Sequence, residues 1–385
     1  YGSRMARIGI NAQLLTFSQS YRNAGSSAFI YHLLRNLPNT STEHRYIVFT
    51  NAGRAALPIG DNARFQVVGS RLDTERPAQR ILWEQTALPL LLERKHIDVV
   101  HGTLNVLPVA RRIPGVVTIH DVSFLLFPER FLPGRRRYLS TFTRVSARGA
   151  RMVVASSENT RRDIIRLLGV PEERVRVVYL GVDDRFRERP DPDAIARFRE
   201  QHELPEDFFL YVGTLEPRKN LVRLLNAYHA ARQRGVEWPL VLAGGKGWLY
   251  EEVFQRVQDL NLTEFVRFPG YVLYEDLPLW YNAASAFVYP SLYEGFGLPV
   301  AEAMACGCPV LTTRNSSLIE VAGEATILVE GEDEGALADG LCRLAGDRAL
   351  RAELSRLGLA QSAQFNWART AADMAAVYDE ALQEA

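Results

Sequence analysis

Residues 286–304 read Ala-Phe-Val-Tyr-Pro-Ser-Leu-Tyr-Glu-Gly-Phe-Gly-Leu-Pro-Val-Ala-Glu-Ala-Met, two apolar runs joined by a glycine-containing turn. The first run, Ala286–Tyr289, is typical of a short buried strand. Gly295 and Gly297 allow a loop with exposed backbone N–H groups, and Pro299 suits the first position of a helix. A strand that leads through such a loop into a helix is the repeating unit of doubly wound α/β domains.

The same alternation of strand and helix extends along the chain on both sides of this segment. Strands are predicted at Ile8–Asn11, Tyr46–Thr50, Phe65–Val68, Asp98–His101, Val116–His120, Met152–Ser156, Arg176–Leu180, Phe208–Gly213, Leu240–Ala243, Val266–Phe268, Val310–Thr312 and Thr326–Val329. Helical spacing falls between them, including Arg80–Lys95, which Pro89 is expected to bend or interrupt. The last two predicted helices, Arg348–Ala363 and Trp367–Leu382, have no following strand. Two sets of parallel βαβ units predict two doubly wound domains, with a boundary near Gly181–Pro192.

Length and composition agree with this reading and exclude several other classes. The 385 residues suffice for two or three domains, and 47% hydrophobic with 23% charged residues exclude disordered and fibrous chains. No apolar run reaches the ~18 residues of a membrane span, and no apolar segment follows Arg4 as a secretory signal would require. Three cysteines suggest no disulfide framework. We therefore expect a cytoplasmic protein.

Charge is distributed unequally along the chain, although the total is zero. Residues 5–180 hold 25 basic and 13 acidic residues (+12), and residues 181–385 hold 19 and 32 (−13). The segment from Arg135 to Leu139 opens an amphipathic helix with Phe142 and Val145 on one side. Three interpretations remain open: contact with an anionic membrane surface, attraction between oppositely charged domains, or a solvated helix face. No nucleic-acid-binding module accompanies the arginines, so nucleic acid is not an expected partner.

Glu294 and Glu302 flank the glycine loop described above. They place two acceptor carboxylates beside a helix start that can hold a phosphate. This arrangement suits a sugar nucleotide, with one carboxylate for sugar hydroxyls, one for the ribose diol and the turn for the pyrophosphate. Two solvated glutamates at a helix start are the alternative.

Polar residues follow other predicted strands at the edge where ligands of such sheets bind. Gly213 begins a loop that carries Arg218 and Lys219, two adjacent cations suited to a diphosphate leaving group; ordinary surface basic residues are the alternative. His120 ends a strand of the first half, in a position suited to contact a sugar hydroxyl; a hydrogen-bonded structural histidine is the alternative. Gly25 precedes the first helix and brings backbone N–H groups near a ligand. The histidines and cysteines show no metal-ligand spacing, and the triplet Asp191-Pro-Asp193, which resembles a metal-binding signature, is read as accidental.

Taken together, these motifs resemble the retaining GT-B glycosyltransferases of family 4. The resemblance extends from Met5 to about Leu382 and rests on His120-Asp121, Gly181-Val-Asp183, Gly213 to Asn220, Gly270-Tyr-Val272, the segment from Pro290 through Glu294 to Glu302, and Gly307-x-Pro309-Val. It implies a GT-B architecture of two doubly wound Rossmann-like domains facing across a cleft. Residues 5–180 would form the acceptor side, with the helix of about 367–385 packed back on them, and residues 181–366 the donor side.

The resemblance also implies roles for individual residues. Glu294 would bind the donor sugar, Glu302 the ribose, Arg218 and Lys219 the departing diphosphate, and His120 the sugar near the reaction centre. The backbone of Gly295, Phe296, Gly297 and Leu298 would hold the pyrophosphate, and Val272 the base. No cofactor or metal is required in the family. One departure is the stretch Asn23-Ala-Gly25-Ser-Ser27, where related enzymes carry a loop richer in glycine.

The expected function is therefore hexosyl transfer with retention of configuration, in polysaccharide or glycoconjugate assembly. The best-matching branch suggests GDP-mannose as donor and a saccharide or lipid-linked saccharide as acceptor. Three alternatives remain: a UDP-hexose-dependent transferase (glucosyl or N-acetylglucosaminyl), a sugar-nucleotide epimerase or hydrolase, and a non-catalytic sugar- or membrane-binding scaffold. Peripheral contact with the inner face of the membrane is a further hypothesis.

Overall fold

A computed structural model of the chain describes residues 5–16, 25–51, 56–70, 72–74 and 76–383. Asn23 and Ala24, part of the loop singled out above, lie outside these ranges. The chain divides into two compact units. The first comprises the residues up to Gly181 together with the helix that starts at Trp367, and the second comprises Val182–Asn366.

Within the described residues, the first unit is built on a sheet of seven parallel strands. These are β1 Arg7–Asn11, β2 Arg45–Phe49, β3 Phe65–Val68, β4 Val99–Gly102, β5 Gly115–Ile119, β6 Met152–Ala155 and β7 Val175–Val177. Their spatial order is β3-β2-β1-β4-β5-β6-β7, so the direction of winding reverses between β1 and β4. Buried aliphatic runs explain these strands, since both faces of a parallel sheet are covered by helices.

Helices cover this sheet: α1 Ser26–Asn36, α2 Pro77–Arg94, α3 Ser123–Leu126, α4 Pro133–Gly149 and α5 Glu158–Asp163. Helix α2 runs through Pro89 without interruption. A proline inside a helix costs about 3 kcal/mol, but α2 buries Trp83, Leu88 and Leu92 against the sheet, and each fully buried large side chain contributes roughly 1.5–3 kcal/mol. Packing of this face therefore outweighs the missing hydrogen bond.

The described part of the second unit has a sheet of six parallel strands: β8 Phe209–Val212, β9 Leu240–Ala243, β10 Val266–Gly270, β11 Ala286–Tyr289, β12 Val310–Thr313 and β13 Ile327–Val329. Its order is β10-β9-β8-β11-β12-β13, with the reversal between β8 and β11. This is the strand order of a dinucleotide-binding fold. Its helices are α6 Pro192–Gln201, α7 Leu221–Gln233, α8 Glu251–Asp259, α9 Leu277–Ala283, α10 Leu298–Ala305, α11 Leu318–Ala322, α12 Glu334–Gly346 and α13 Arg348–Ser362. The predicted class, two doubly wound α/β domains, is confirmed.

Two helices of the second unit were not predicted. Helix α6 starts in the presumed linker, where the Asp191 side chain caps it by accepting a hydrogen bond from the Asp193 backbone N–H (3.0 Å). The Asp-x-Asp triplet thus has a local structural use. Helix α12 buries Leu337, Leu341 and Leu344, a helical spacing that could have been recognised.

The last helix, α14 (Trp367–Gln383), belongs to the first unit. Tyr378 Oη lies 2.8 Å from His101 Nδ1, a buried imidazole on β4. Asp379 Oδ1 lies 3.0 Å from Nε2 of the buried His44. Thr370 donates a hydrogen bond to the Tyr179 carbonyl (2.8 Å). A helix with no following strand is therefore tied to the N-terminal sheet by polar contacts, as well as by its apolar face.

Candidate active site

Three of the predicted site residues of the second unit gather where its sheet reverses direction. Strands β8 and β11 are neighbours, with Phe209 paired to Ala286. Arg218 and Lys219 follow β8 in a short helical turn, and Glu294 follows β11. Ligands of doubly wound sheets bind outside the carboxyl ends of the strands at this point of reversal.

Glu294 lies buried at the centre of a hydrogen-bonded cage. Its Oε1 accepts from Lys219 Nζ (2.5 Å), Ser291 Oγ (2.6 Å) and Tyr289 Oη (3.0 Å). Its Oε2 accepts from Arg218 Nη1 (2.9 Å). Arg218 also forms an ion pair with Glu216, in which Nη2 lies 2.9 Å from Oε1. One carboxylate thus orients both cations, and its Oε2 retains a lone pair for a further donor.

The charges of this cage determine its protonation state. Burial alone raises the pKa of Glu294, but Arg218 and Lys219 outweigh burial and lower it to about 2. Glu294 is therefore ionised at neutral pH, ready to accept hydrogen bonds from hydroxyl groups. Burial, followed by repulsion from Arg218, lowers the pKa of Lys219, and Glu294 counteracts both effects.

Glu302 lies in α10 in a different electrostatic setting. It is buried, and its Oε2 accepts a hydrogen bond from Tyr281 Oη at 3.2 Å. Burial, with a smaller contribution from Asp183, raises its pKa to about 7 against the lowering effects of Tyr281 and Arg185. Arg185 binds the Asp183 carboxylate (3.1 Å) and lies over the ring of Tyr274. Glu302 therefore changes its charge near neutral pH, unlike Glu294.

The loop between these two glutamates is fixed by side chains of the next loop. Ser316 Oγ accepts from the Glu294 backbone N–H (2.9 Å), and Ser317 Oγ lies within hydrogen-bonding distance of the Glu294 and Phe296 carbonyls. Gly297 has a φ of 103°, and a Cβ there would lie 2.7 Å from Leu318. Only glycine can adopt this backbone conformation at the start of α10. The first N–H groups of α10, which have no partner within the helix, therefore lie at the end of this loop.

His120 follows β5 in the first unit. Its carbonyl accepts from Ser156 Oγ (2.7 Å), and its ring packs edge-on against Phe29 with centroids 4.8 Å apart. Burial lowers its pKa to about 4, although Asp121 and a hydrogen bond to the Thr103 backbone act in the opposite direction. Nε2 is buried and has no partner among the described residues. The imidazole is thus neutral at physiological pH, with one nitrogen available to a ligand.

Two family profiles match the chain in sequence. The profile described as "Glycosyl transferases group 1" matches residues 193–359, and "Glycosyltransferase Family 4" matches residues 24–186. An O-antigen chain mannosyltransferase B of Escherichia coli is 35% identical over 270 residues, which cover 70% of this chain and 71% of that protein. The chain belongs to the group 1, family 4 glycosyltransferases.

Other members match over almost the full length of this glycosyltransferase. A D-inositol 3-phosphate glycosyltransferase of Frankia alni is 32% identical over 94% of this chain and 95% of that protein. Sucrose-phosphate synthase from Thermosynechococcus elongatus aligns with a TM-score of 0.79 at 22% identity, covering 99% of this chain and all of that structure. At this identity the structural match shows the fold alone, which is that of GT-B enzymes. No helix of the described residues combines the length and apolar character that crossing a membrane demands.

The other predicted residues of this glycosyltransferase lie in loops that follow strands or at the starts of helices. Gly213 follows β8 directly, and Val272 lies half-buried in the loop after β10. Gly295, Phe296 and Leu298 lie in the loop and first turn before Glu302. Gly25 precedes α1 and is exposed. Arg218, Lys219 and Glu294 are in direct contact, whereas Glu302 has its own set of partners and His120 and Gly25 belong to the other unit.

Sequence reasoning missed the tyrosines that complete these sites. Tyr289 ends a buried strand and Tyr281 lies in the apolar face of α9, so both resemble ordinary core residues. For Tyr289, its position directly before the glutamate-bearing segment was the available signal, whereas Tyr281 in the preceding helix had none. In the described ranges no group of three or more His, Cys, Asp or Glu residues is arranged to hold a metal ion.

Proposed function

We propose that this glycosyltransferase transfers mannose from GDP-mannose to a saccharide or lipid-linked saccharide acceptor, with retention of configuration, in glycoconjugate assembly. The observation that carries the proposal is the cage at the reversal point of the second sheet, where ionised Glu294 holds Arg218 and Lys219 in place. The name of the O-antigen mannosyltransferase that matches at 35% identity supports mannose as the sugar.

The proposed roles follow from the chemistry of each group. Glu294 accepts hydrogen bonds from hydroxyl groups of the donor sugar, through the Oε2 lone pair that Arg218 leaves unused. Arg218 and Lys219 stabilise the diphosphate as negative charge develops on it. Because these cations are already oriented, they pay little reorganisation cost during the reaction. We propose that they replace a metal ion, so that no cofactor is required.

The remaining donor contacts are proposed from position. Glu302 binds the ribose diol, and the backbone from Gly295 to Leu298 holds the pyrophosphate at the start of α10. Val272 lies in the loop proposed to contact the base. His120 Nε2 accepts a hydrogen bond from the donor sugar, and Gly25 and Gly213 contribute backbone contacts to the donor. In this proposal the second unit is the donor side and the first unit is the acceptor side.

The first experiment measures thermal stabilisation by GDP, UDP, ADP and their hexose conjugates. A ligand at ~100 times its Kd stabilises the folded state by about 2.7 kcal/mol, which raises Tm by a few degrees. We expect the response with GDP and GDP-mannose. A rise in Tm with UDP compounds alone would show that the donor is a UDP-hexose instead of GDP-mannose. No rise in Tm with any nucleotide would favour a non-catalytic scaffold.

The second experiment tests the cage in a transfer assay with GDP-mannose and a methyl mannoside acceptor, followed by mass spectrometry and by NMR of the new anomeric centre. We expect Glu294→Gln to lower kcat by about a hundredfold or more, the size of effect seen when one electrostatic stabiliser is removed. Glu332→Gln, an exposed glutamate of the same unit, is the matched control. Equal activity in both variants would refute the role of Glu294, and epimer or free mannose formed without acceptor would indicate an epimerase or hydrolase.

Peripheral membrane contact is a separate proposal carried by α4. Its first turns expose residues 135–137, all arginine, next to Leu132, which is 77% exposed. Basic side chains beside an exposed apolar one are typical of binding to anionic lipid surfaces. We expect sedimentation with phosphatidylglycerol vesicles at low salt and its loss when residues 135–137 are changed to serine. Serine at three exposed arginines of the second unit is the control (Arg189, Arg197 and Arg314). Equal sedimentation of both variants would contradict the proposal.

A further inference from the structure

The first sheet also has a point of reversal, and a second group of buried polar side chains lies there. Strands β1 and β4 are neighbours, with Asn11 paired to Gly102 at their carboxyl ends. The residues that follow these ends include Gln13 after β1, and Thr103 and Asn105 after β4. The general rule for such sheets predicts a ligand at this point.

A buried glutamate of α2 joins this group. Asn11 Nδ2 donates to Glu84 Oε1 at 3.0 Å, and Thr103 Oγ1 donates to the Asn11 carbonyl at 2.6 Å. Glu84 is only 6% exposed, and its nearest cation is Arg80, 3.9 Å from the same Oε1. Burial raises the pKa of Glu84, while Arg80 and Asn11 lower it. Among the described residues, the hydrogen bond of this carboxylate goes to Oε1, and Oε2 has no hydrogen-bond partner.

Two amide side chains that follow the ends of the same two strands each carry an unsatisfied polar atom. Gln13 is 6% exposed and Asn105 is 8% exposed. Among the described residues, Gln13 Nε2 and Asn105 Oδ1 are buried without a hydrogen-bond partner. The opposite end of the Gln13 amide is fixed, because its Oε1 accepts from Thr74 Oγ1 at 2.5 Å. Buried polar atoms without partners are rare in folded proteins and call for an explanation such as a bound ligand.

We propose that Glu84, Gln13 and Asn105 form a binding site for a neutral polyhydroxylated ligand. If the function proposed above is right, this ligand is the acceptor saccharide. A hydroxyl group both donates and accepts hydrogen bonds, which matches two acceptors (Glu84 Oε2 and Asn105 Oδ1) beside one donor (Gln13 Nε2). The site also selects against phosphate, because an anionic phosphate needs hydrogen-bond donors and two of these three atoms are acceptors. The acceptor is therefore an uncharged sugar unit at this position rather than a sugar phosphate.

The test uses the full-length chain and two probes, methyl α-D-mannopyranoside and mannose 6-phosphate. Their binding is measured by saturation-transfer NMR on the wild type, on Glu84→Gln and on Glu93→Gln. Glu93 is the matched control because it lies on the same helix with its side chain about half exposed. Glutamine keeps the shape of Glu84 and its bond with Asn11, so the variant is expected to fold, as its unfolding midpoint will show.

We expect the wild type to bind the methyl mannoside and to discriminate against the phosphate. Glu84→Gln should weaken binding of the methyl mannoside by about tenfold or more, the effect of losing a hydrogen bond to a charged group. It should also reduce the preference for the methyl mannoside over mannose 6-phosphate. If Glu84 had a purely structural role, the substitution would not change the ratio of the affinities for the two probes. Failure of the wild type to bind the mannoside, equal binding of both probes, or equal behaviour of the two variants would overturn the proposal. Nucleotide binding is measured separately, so a failure of the proposed transferase function would be seen there and not in this assay.

Discussion

Glu302 should make the stability of the second unit depend on pH in a way that one substitution removes. Its ordinary pKa is 4.5 and burial raises it to about 7 in the folded chain. The folded state therefore holds the proton more tightly than the unfolded state. Below pH 4.5 both states are protonated and the contribution is complete. As the pH rises from 4.5 to 7 only the unfolded state releases its proton, so stability falls, and above pH 7 the loss is complete.

The size of this loss follows from the two pKa values. At about 1.4 kcal/mol per pKa unit, the interval from 4.5 to about 7 corresponds to about 3 kcal/mol. Glu302→Gln stays neutral at every pH and can still accept from Tyr281. We expect the unfolding free energy of the wild type to fall by about 3 kcal/mol relative to this variant between pH 4.5 and 8.

The assay is urea unfolding followed by tryptophan fluorescence at several pH values. Buried histidines such as His101 and His120 titrate in both proteins, so they cancel in the difference. Glu294 does not interfere, because its lowered pKa places its own contribution below pH 4.5. A difference between wild type and Glu302→Gln that stays constant over this range, or that grows in favour of the wild type as pH rises, would refute the reasoning.

Three further predictions concern packing and pairing. Lys219→Met should lower the unfolding free energy by about 3–5 kcal/mol, because it leaves the buried Glu294 carboxylate with fewer partners; a loss of activity in denaturant-free buffer without any loss of stability would contradict this. Gly297→Ala should cost about 1–3 kcal/mol, since its positive φ and the close contact of a Cβ strain the turn, and an unchanged Tm would show that the turn relaxes. Tyr378→Phe should cost about 1–3 kcal/mol by leaving a buried nitrogen of His101 unpaired, and urea unfolding would be unaffected if that bond were dispensable.

Much of the fold could be predicted from local patterns. Apolar runs and helical spacing placed the strands to within a few residues, and the glycine loop before α10 was recognised from Gly295, Gly297 and Pro299. Local rules were less reliable where tertiary packing opposes them. Pro89 is a helix breaker by propensity, yet α2 continues through it because Trp83 and Leu88 hold the helix against the sheet.

The contacts within the sites could not be predicted in the same way. Lys219 and Glu294 are 75 residues apart, and Asn11 and Glu84 are 73 apart. Each could be assigned to the end of a strand or to a helix, but only the strand order shows which ends are neighbours. Glu84 had no distinguishing signal at all, since a glutamate in an amphipathic helix is usually solvated.

The cage around Glu294 bears on how the donor binds. In the structure Arg218 and Lys219 already hold a carboxylate, so a diphosphate that reaches them replaces or shares an existing ion pair rather than neutralising two free cations. The desolvation cost of burying these charges is thus met during folding and not during binding. A site arranged in this way gains little from the ground state of the donor. In the function proposed above, such a site stabilises selectively the additional negative charge that develops as the diphosphate departs, which is the condition for raising kcat.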